Sequence, residues 1–81
     1  MKESDIQSKL IKKYEAEGYY VIKLMKTNKN GIPDLLLIPK DSNVEFVEVK
    51  TESGNVSELQ EFRIKELKSH GINVKVVRDA K

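Results

Sequence analysis

The first apolar pattern along the chain has the period of a helix. Between residues 4 and 17, apolar side chains recur every three or four positions and therefore share one helical face; they are Ile6, Leu10, Ile11 and Tyr14. The Ser4 hydroxyl can cap the N-terminus, and Gly18 suits the left-handed position that follows a helix C-terminus. We therefore predict a helix from Ser4 to Glu17, with one face directed at a core.

A second helix is predicted in the C-terminal third of the chain. Ser57 is the predicted N-cap, and Gly71 stands where the residue after the C-cap is expected. The apolar side of this helix would consist of Leu59, Phe62, Ile64 and Leu67. The helix is therefore expected to run from Ser57 to His70 and to pack through these side chains.

Four segments have the composition of β-strands, namely residues 19–25, 34–38, 44–50 and 73–77. The first is rich in β-branched and aromatic residues. The second is a short apolar run bounded by prolines, which is typical of a strand covered on both faces. A turn at 39–43 joins the second segment to the third, so residues 34–50 are expected to form a hairpin.

The element order α-β-β-β-α-β predicts an α/β (α+β) fold in which helices pack on a mixed sheet. A length of 81 residues allows one domain, residues 1–81. A domain of this size buries roughly 60 % of its unfolded surface and is marginally stable alone. Because no disulfide can reinforce it, self-association is expected, and a homodimer is the commonest symmetric form.

Composition excludes several kinds of chemistry. The chain has no cysteine, which rules out a disulfide scaffold, a thiolate zinc site and a cysteine nucleophile. The single histidine, His70, rules out a His-rich metal site. The longest apolar run has four residues, Leu35 to Ile38, so we expect no membrane association. The acidic N-terminus does not resemble a signal peptide, which favours a cytoplasmic protein.

Charge is unevenly distributed along the chain. The formal net charge is +2, with eight lysines and five acidic residues in 1–40 against seven basic and eight acidic residues in 41–81. The lysines of the first half include Lys9, Lys12, Lys13, Lys23, Lys26 and Lys29. They could form a phosphate-contacting surface, or simply a solvated helix face and a polar loop. Charge alone leaves both interpretations open.

Charged residues of the predicted hairpin are candidates for chemistry. Side chains alternate along a strand, so Glu48 and Lys50 project to the same side, and Asp34 opens the neighbouring strand. Two such carboxylates repel each other unless a cation lies between them, and hard oxygen ligands suit Mg²⁺ or Mn²⁺. Taken alone, however, Glu48 and Lys50 also fit the solvated face of an amphipathic strand, and Asp34 after Pro33 fits ordinary turn chemistry.

Glu3 and Gln60 are two further polar residues that helical spacing directs inward. Glu3 lies on the apolar stripe of the first helix, and Gln60 stands four and seven residues before Ile64 and Leu67. Each has an ordinary alternative role. Glu3 would compensate the dipole in the first turn of its helix, and Gln60 would be a solvated helix residue. Spacing alone leaves these alternatives open.

Several short segments follow one another in a characteristic order: Gly31-Ile32-Pro33-Asp34, then Glu48-Val49-Lys50, then Gly54 and Gln60. Together they resemble the PD-(D/E)XK nuclease superfamily and, more narrowly, its VRR-NUC branch, the virus-type replication and repair nuclease domain. The resemblance extends from Glu3 to Val77. It implies a restriction-endonuclease-like αβββαβ core, with a mixed sheet flanked by helices.

The resemblance also implies a role for each matching residue. The expected ligands of Mg²⁺ or Mn²⁺ are Asp34, Glu48 and the backbone carbonyl of Val49. Lys50 would position or help to deprotonate the attacking water and offset charge at the phosphate. Glu3 would assist metal or water placement, and Gln60 would hold Lys50 or the phosphate in line.

Stand-alone members of this branch resemble Holliday junction resolvases and act as dimers. The resemblance therefore implies a metal-dependent, structure-selective endonuclease on branched DNA in replication, repair or recombination, in a bacterial or phage-infected cell. The expected phosphate contacts are Lys23, Lys26 and Lys29, with Lys9, Lys12 and Lys13 as weaker candidates. A helicase or replication partner is left open. The alternative is a noncatalytic nucleic-acid-binding or assembly module that retains the fold.

Overall fold

Two helices and four strands follow one another in the predicted order. A computed structural model describes residues 2–41 and 43–78. Its elements are α1 (Glu3–Ala16), β1 (Tyr20–Lys23), β2 (Leu35–Ile38), β3 (Glu45–Val49), α2 (Glu58–Ser69) and β4 (Asn73–Val77). The last strand has the predicted bounds, and the other three are one to three residues shorter than predicted. The predicted α+β fold is therefore confirmed.

The four strands form one mixed sheet in the order β1-β2-β3-β4. The β1–β2 and β2–β3 pairs are antiparallel, and the second pair is the predicted hairpin. Lys40 and Asp41 form the turn of this hairpin as predicted, while Ser42 of the predicted turn lies outside the described residues. The β3–β4 pair is parallel, and α2 provides the crossover that a parallel pair requires.

The core lies between α1 and one face of the sheet. The side chains that are buried there are Ile6, Leu10 and Tyr14 of α1 and Leu35, Leu37, Val47 and Val49 of the sheet. The predicted apolar stripe of α1 is therefore the face that packs. Ile11, at the margin of the stripe, is partly buried against this core.

The opposite face of the sheet is only partly covered. This contradicts the prediction that β2 is covered on both faces and the prediction that α2 packs through all four of its apolar side chains. Leu36 and Ile38 of β2 are half-buried, because α2 packs mainly on β4 and leaves β1 and β2 without a helix on this face. Leu59 and Phe62 were predicted to pack but are 44 % and 53 % exposed. The four apolar residues of α2 do not share one helical stripe. The side of the helix that carries Ile64 and Leu67 is half-buried, while Leu59 and Phe62 remain exposed.

The helix ends show how local sequence sets the element bounds. Ser4 was predicted to be the N-cap of α1, and this prediction is wrong. The helix begins at Glu3, and its N-cap residue, Lys2, makes no side-chain capping bond. Glu3 and Asp5 instead place negative charge in the first turn, where it complements the helix dipole. Ser57 does cap α2 as predicted. Within the described ranges, no helix is long and apolar enough to cross a bilayer.

Candidate metal centre

Three carboxylates from three different elements meet at one end of the sheet. One oxygen atom of each of Glu3, Asp34 and Glu48 lies within 4.8 Å of the others. Leu35 pairs with Val47, and continuing this antiparallel register by one residue places Asp34 opposite Glu48. Glu3 joins them from the first turn of α1. The three residues, here called the carboxylate cluster, thus occupy the positions expected from the sequence.

Backbone groups fix the orientation of Asp34. The Val49 N–H donates a hydrogen bond of 2.7 Å to Asp34 Oδ2, and the Leu24 N–H donates one of 2.8 Å to the Asp34 carbonyl. Because the N–H and the carbonyl of one strand residue point to the same side of the strand, the Val49 carbonyl also faces the Asp34 side of β3. The carboxylate is therefore held at one oxygen, beside a backbone carbonyl.

Glu48 is fully buried, and its two oxygens have different surroundings. Oε2 accepts a hydrogen bond of 3.1 Å from Gln60 Nε2 and lies 3.5 Å from Lys50 Nζ. Oε1 is buried and has no hydrogen-bond partner among the described residues. An unpartnered carboxylate oxygen in the protein interior is costly, which points to a ligand that this oxygen would bind.

The electrostatics of the cluster favour a cation as that ligand. Burial first, and then the neighbouring Asp34 carboxylate, raise the pKa of Glu48 from 4.5 to about 7, although Lys50 acts in the opposite direction. A single ammonium thus does not compensate the crowded carboxylates. A divalent cation would, and a set of hard carboxylate oxygens with an unpartnered atom fits one. Glu3, Asp34 and Glu48 are the residues that could hold it.

Gln60 reaches the cluster because it is also part of a helix cap. Its backbone N–H donates to Ser57 Oγ, and its side-chain Oε1 accepts from the Ser57 N–H, so that the two residues form a capping box. The cap uses the amide oxygen and leaves the amide NH₂ group directed at Glu48. In the structure Gln60 therefore contacts Glu48, whereas the family resemblance implied that it would hold Lys50 or the phosphate.

The lysines predicted to contact phosphate occupy different places. Lys26 and Lys29 line a cleft of about 200 Å³ in the loop between β1 and β2, immediately before Asp34. Lys23 pairs with Leu35, and cross-strand neighbours share a face, so Lys23 lies on the α1 side of the sheet. The weaker candidates are exposed on α1; they are Lys9, Lys12 and Lys13.

Two arginines that the sequence did not single out connect segments of the site. Arg63 of α2 donates a hydrogen bond of 2.8 Å from Nε to the Asn30 carbonyl, which joins α2 to the β1–β2 loop. Arg78 donates to the carbonyls of Thr51 and Gly54 in the turn that follows Lys50. A single arginine has no periodic signature, so only the fold reveals these contacts.

Gly31, the first residue of the segment Gly31-Ile32-Pro33-Asp34 noted in the sequence, lies at the same contact between the β1–β2 loop and α2. Its φ of +85° is a left-handed conformation, and an added Cβ would lie 2.8 Å from Leu59 Cγ. Only glycine therefore fits both the backbone and the space beside α2. The left-handed backbone and the lack of space for a Cβ therefore explain why glycine stands at this position of the segment Gly31-Ile32-Pro33-Asp34.

Comparisons with known proteins agree with this geometry. The model of the VRR-NUC domain family matches residues 1–80. A solved structure described as a VRR_NUC domain superposes with a TM-score of 0.85 at 33 % sequence identity, over 95 % of this chain and 84 % of that chain. The search of curated proteins gives no match.

Proposed function

The chain belongs to the VRR-NUC domain family, and we propose that it is a Mg²⁺- or Mn²⁺-dependent deoxyribonuclease that hydrolyses phosphodiester bonds in branched DNA. A nuclease-type domain implies a nucleic acid substrate. One observation carries the proposal beyond the family: in the carboxylate cluster, one buried oxygen of Glu48 has no partner among the described residues, and the other lies 3.5 Å from the Lys50 ammonium group.

The cluster supports the assignment of metal ligands. Asp34 and Glu48 would hold the cation together with the Val49 carbonyl, and Glu3 would assist from α1. When bound, a divalent cation supplies neutralisation of the negative charge on the phosphoryl oxygens. The protein contributes the fixed placement of these oxygens, because Asp34 is bonded to the Val49 N–H and Glu48 to Gln60.

Lys50 would act on the reacting groups beside the metal. Its ammonium group is held 3.5 Å from Glu48, and its side chain is only 11 % exposed. A partly desolvated ammonium can position the attacking water and stabilise charge that develops on the phosphate during the reaction. Gln60 would act as a positioning residue, because it holds Glu48 and does so from a capped and therefore fixed helix end.

A homodimer would give the protein two such sites, as paired cuts across a branched junction require. The small size of the chain supports self-association, and so does the apolar sheet face that α2 leaves open at β1 and β2, where Tyr20 and Ile22 are exposed. We expect a dimer in sedimentation at micromolar concentration. A monomer under these conditions would contradict paired cutting but not the chemistry of one site.

The proposed activity is tested by incubating the protein with a four-way junction, a flap and a linear duplex of matched sequence. We expect cleavage of the branched substrates with Mg²⁺ or Mn²⁺, little cleavage of the linear duplex, and none in EDTA. Glu61→Gln, which changes an exposed acidic residue of α2, should cleave like the unmodified protein. Gel retardation without cleavage in both metals would instead indicate a noncatalytic binding module.

A further inference from the structure

The cleft in the β1–β2 loop is connected to the carboxylate cluster through the backbone of Asp34. Its first residue, Leu24, donates its N–H to the carbonyl of Asp34, and its last, Ile32, is two residues before Asp34. The cleft has a volume of about 200 Å³. A group bound there would therefore be a close neighbour of the phosphate that the cluster and Lys50 would hold.

The lining of the cleft combines apolar and cationic side chains. Leu24, Met25 and Ile32 provide apolar surface, Lys26 and Lys29 provide positive charge, and none of the lining residues is acidic. Met25 is 80 % exposed, although it is large and apolar. In nucleic-acid-binding proteins, exposed apolar side chains insert between bases, and neighbouring lysines contact phosphates. This combination suits a nucleotide rather than a phosphate ion alone.

The cleft is held in shape by contacts within the loop and to α2. The Thr27 hydroxyl donates to the Lys29 carbonyl at 2.7 Å and accepts from the Lys29 N–H at 3.2 Å. Arg63 donates to the Asn30 carbonyl, and Gly31 packs against α2. A site that is already formed loses less conformational entropy when a ligand binds.

We propose that this cleft binds one unstacked nucleotide next to the scissile phosphate, with Met25 against the base and Lys26 and Lys29 near the phosphates. The inference rests on the proposed nuclease function and adds the feature of DNA that is recognised. Unstacking a base costs least where the base is already unpaired. The cleft would thus favour DNA with unpaired nucleotides at the cut, as at flaps, or with interrupted stacking, as at branch points, over continuous duplex.

The experiment measures binding without cleavage. A short single-stranded oligonucleotide and its duplex, each with one 2-aminopurine, are titrated in EDTA with the unmodified protein, Met25→Ala and Met25→Leu. We expect tighter binding of the single strand, a change in 2-aminopurine fluorescence, and an approximately fivefold loss of single-strand affinity in Met25→Ala. Duplex affinity should not change, and Met25→Leu, which keeps an apolar side chain, should retain most of the single-strand affinity.

Three results would overturn the nucleotide subsite: equal affinity for single strand and duplex, an unchanged single-strand affinity in Met25→Ala, or an equal loss for both ligands in that variant. Thermal unfolding of each variant shows whether the fold is kept, as expected for a side chain that is 80 % exposed. Because these titrations contain no metal, their result is separate from the cleavage assay. A protein that binds as expected but does not cleave would refute the nuclease proposal alone.

Discussion

Replacing Glu48 with glutamine is expected to abolish cleavage and, at the same time, to stabilise the metal-free fold. Cleavage should fall by about a thousandfold or more, because the neutral amide cannot serve as an anionic metal ligand at a site where charge stabilisation dominates catalysis. Stability should rise at about pH 8, where Glu48 is ionised despite a pKa raised to about 7 by burial and by Asp34. The isosteric amide removes that charge from the cluster.

The two effects are measured separately. Single-turnover cleavage of a branched substrate gives the activity, and urea denaturation in EDTA gives the free energy of unfolding. Glu61→Gln is the matched control, since it makes the same chemical change at an exposed position of α2 and should leave cleavage unchanged. Because Glu61 lies in the first turn of α2 and complements the helix dipole, its loss should lower stability by about 1 kcal/mol or less and should not raise it. A less stable Glu48→Gln would mean that the ion pair with Lys50, rather than crowding of carboxylates, determines the role of Glu48.

Local sequence was sufficient for the order and approximate positions of the elements and for the central pair of the site. The β2–β3 hairpin could be predicted from strand composition and an intervening turn, and its register places Asp34 opposite Glu48. The cap at Ser57 has a short-range signature that needs no tertiary information. Helical periodicity likewise assigned Glu3 to the inward face of α1, and the structure brings it to the cluster.

Tertiary placement accounts for what the sequence did not show. The apolar residues of α2 gave no clear stripe, so sequence could not show that Leu59 and Phe62 stay exposed. For Gln60, the sequence left open whether it was a helix-surface or an inward residue. The structure shows that it both caps α2 and contacts Glu48, because its amide has two ends. The contact of Arg63 with Asn30 joins segments 33 residues apart and depends on how the crossover helix docks.

Replacing Lys50 with methionine is expected to destabilise the metal-free protein strongly and to leave it inactive even when the fold is restored. The substitution keeps most of the side-chain volume but removes the ammonium that faces Glu48. Removing one partner of a buried ion pair typically costs about 3–5 kcal/mol, a large fraction of the stability of a small domain. Lys75→Met is the matched control, because it breaks a more exposed pair with Glu45 and should cost about 1 kcal/mol or less.

Two treatments should restore the Lys50→Met fold by compensating the same carboxylates. The pKa of Glu48 is raised in the folded state, so the stabilising contribution of its protonated form is complete below 4.5 and is lost as pH rises through about 7. In Lys50→Met the upper end of this range moves higher, because Lys50 lowers the pKa of Glu48. Lowering the pH through this range should therefore stabilise Lys50→Met in EDTA, and Mg²⁺ or Mn²⁺ should do so at about pH 8 by binding the native state. Lys75→Met should show neither form of rescue beyond that of the unmodified protein.

If Lys50→Met were as stable as the unmodified protein in EDTA at about pH 8, the carboxylate cluster would not need a cation, and the basis for a metal centre would be lost. If metal instead restored both fold and cleavage, Lys50 would be a structural counter-ion and not a catalytic residue.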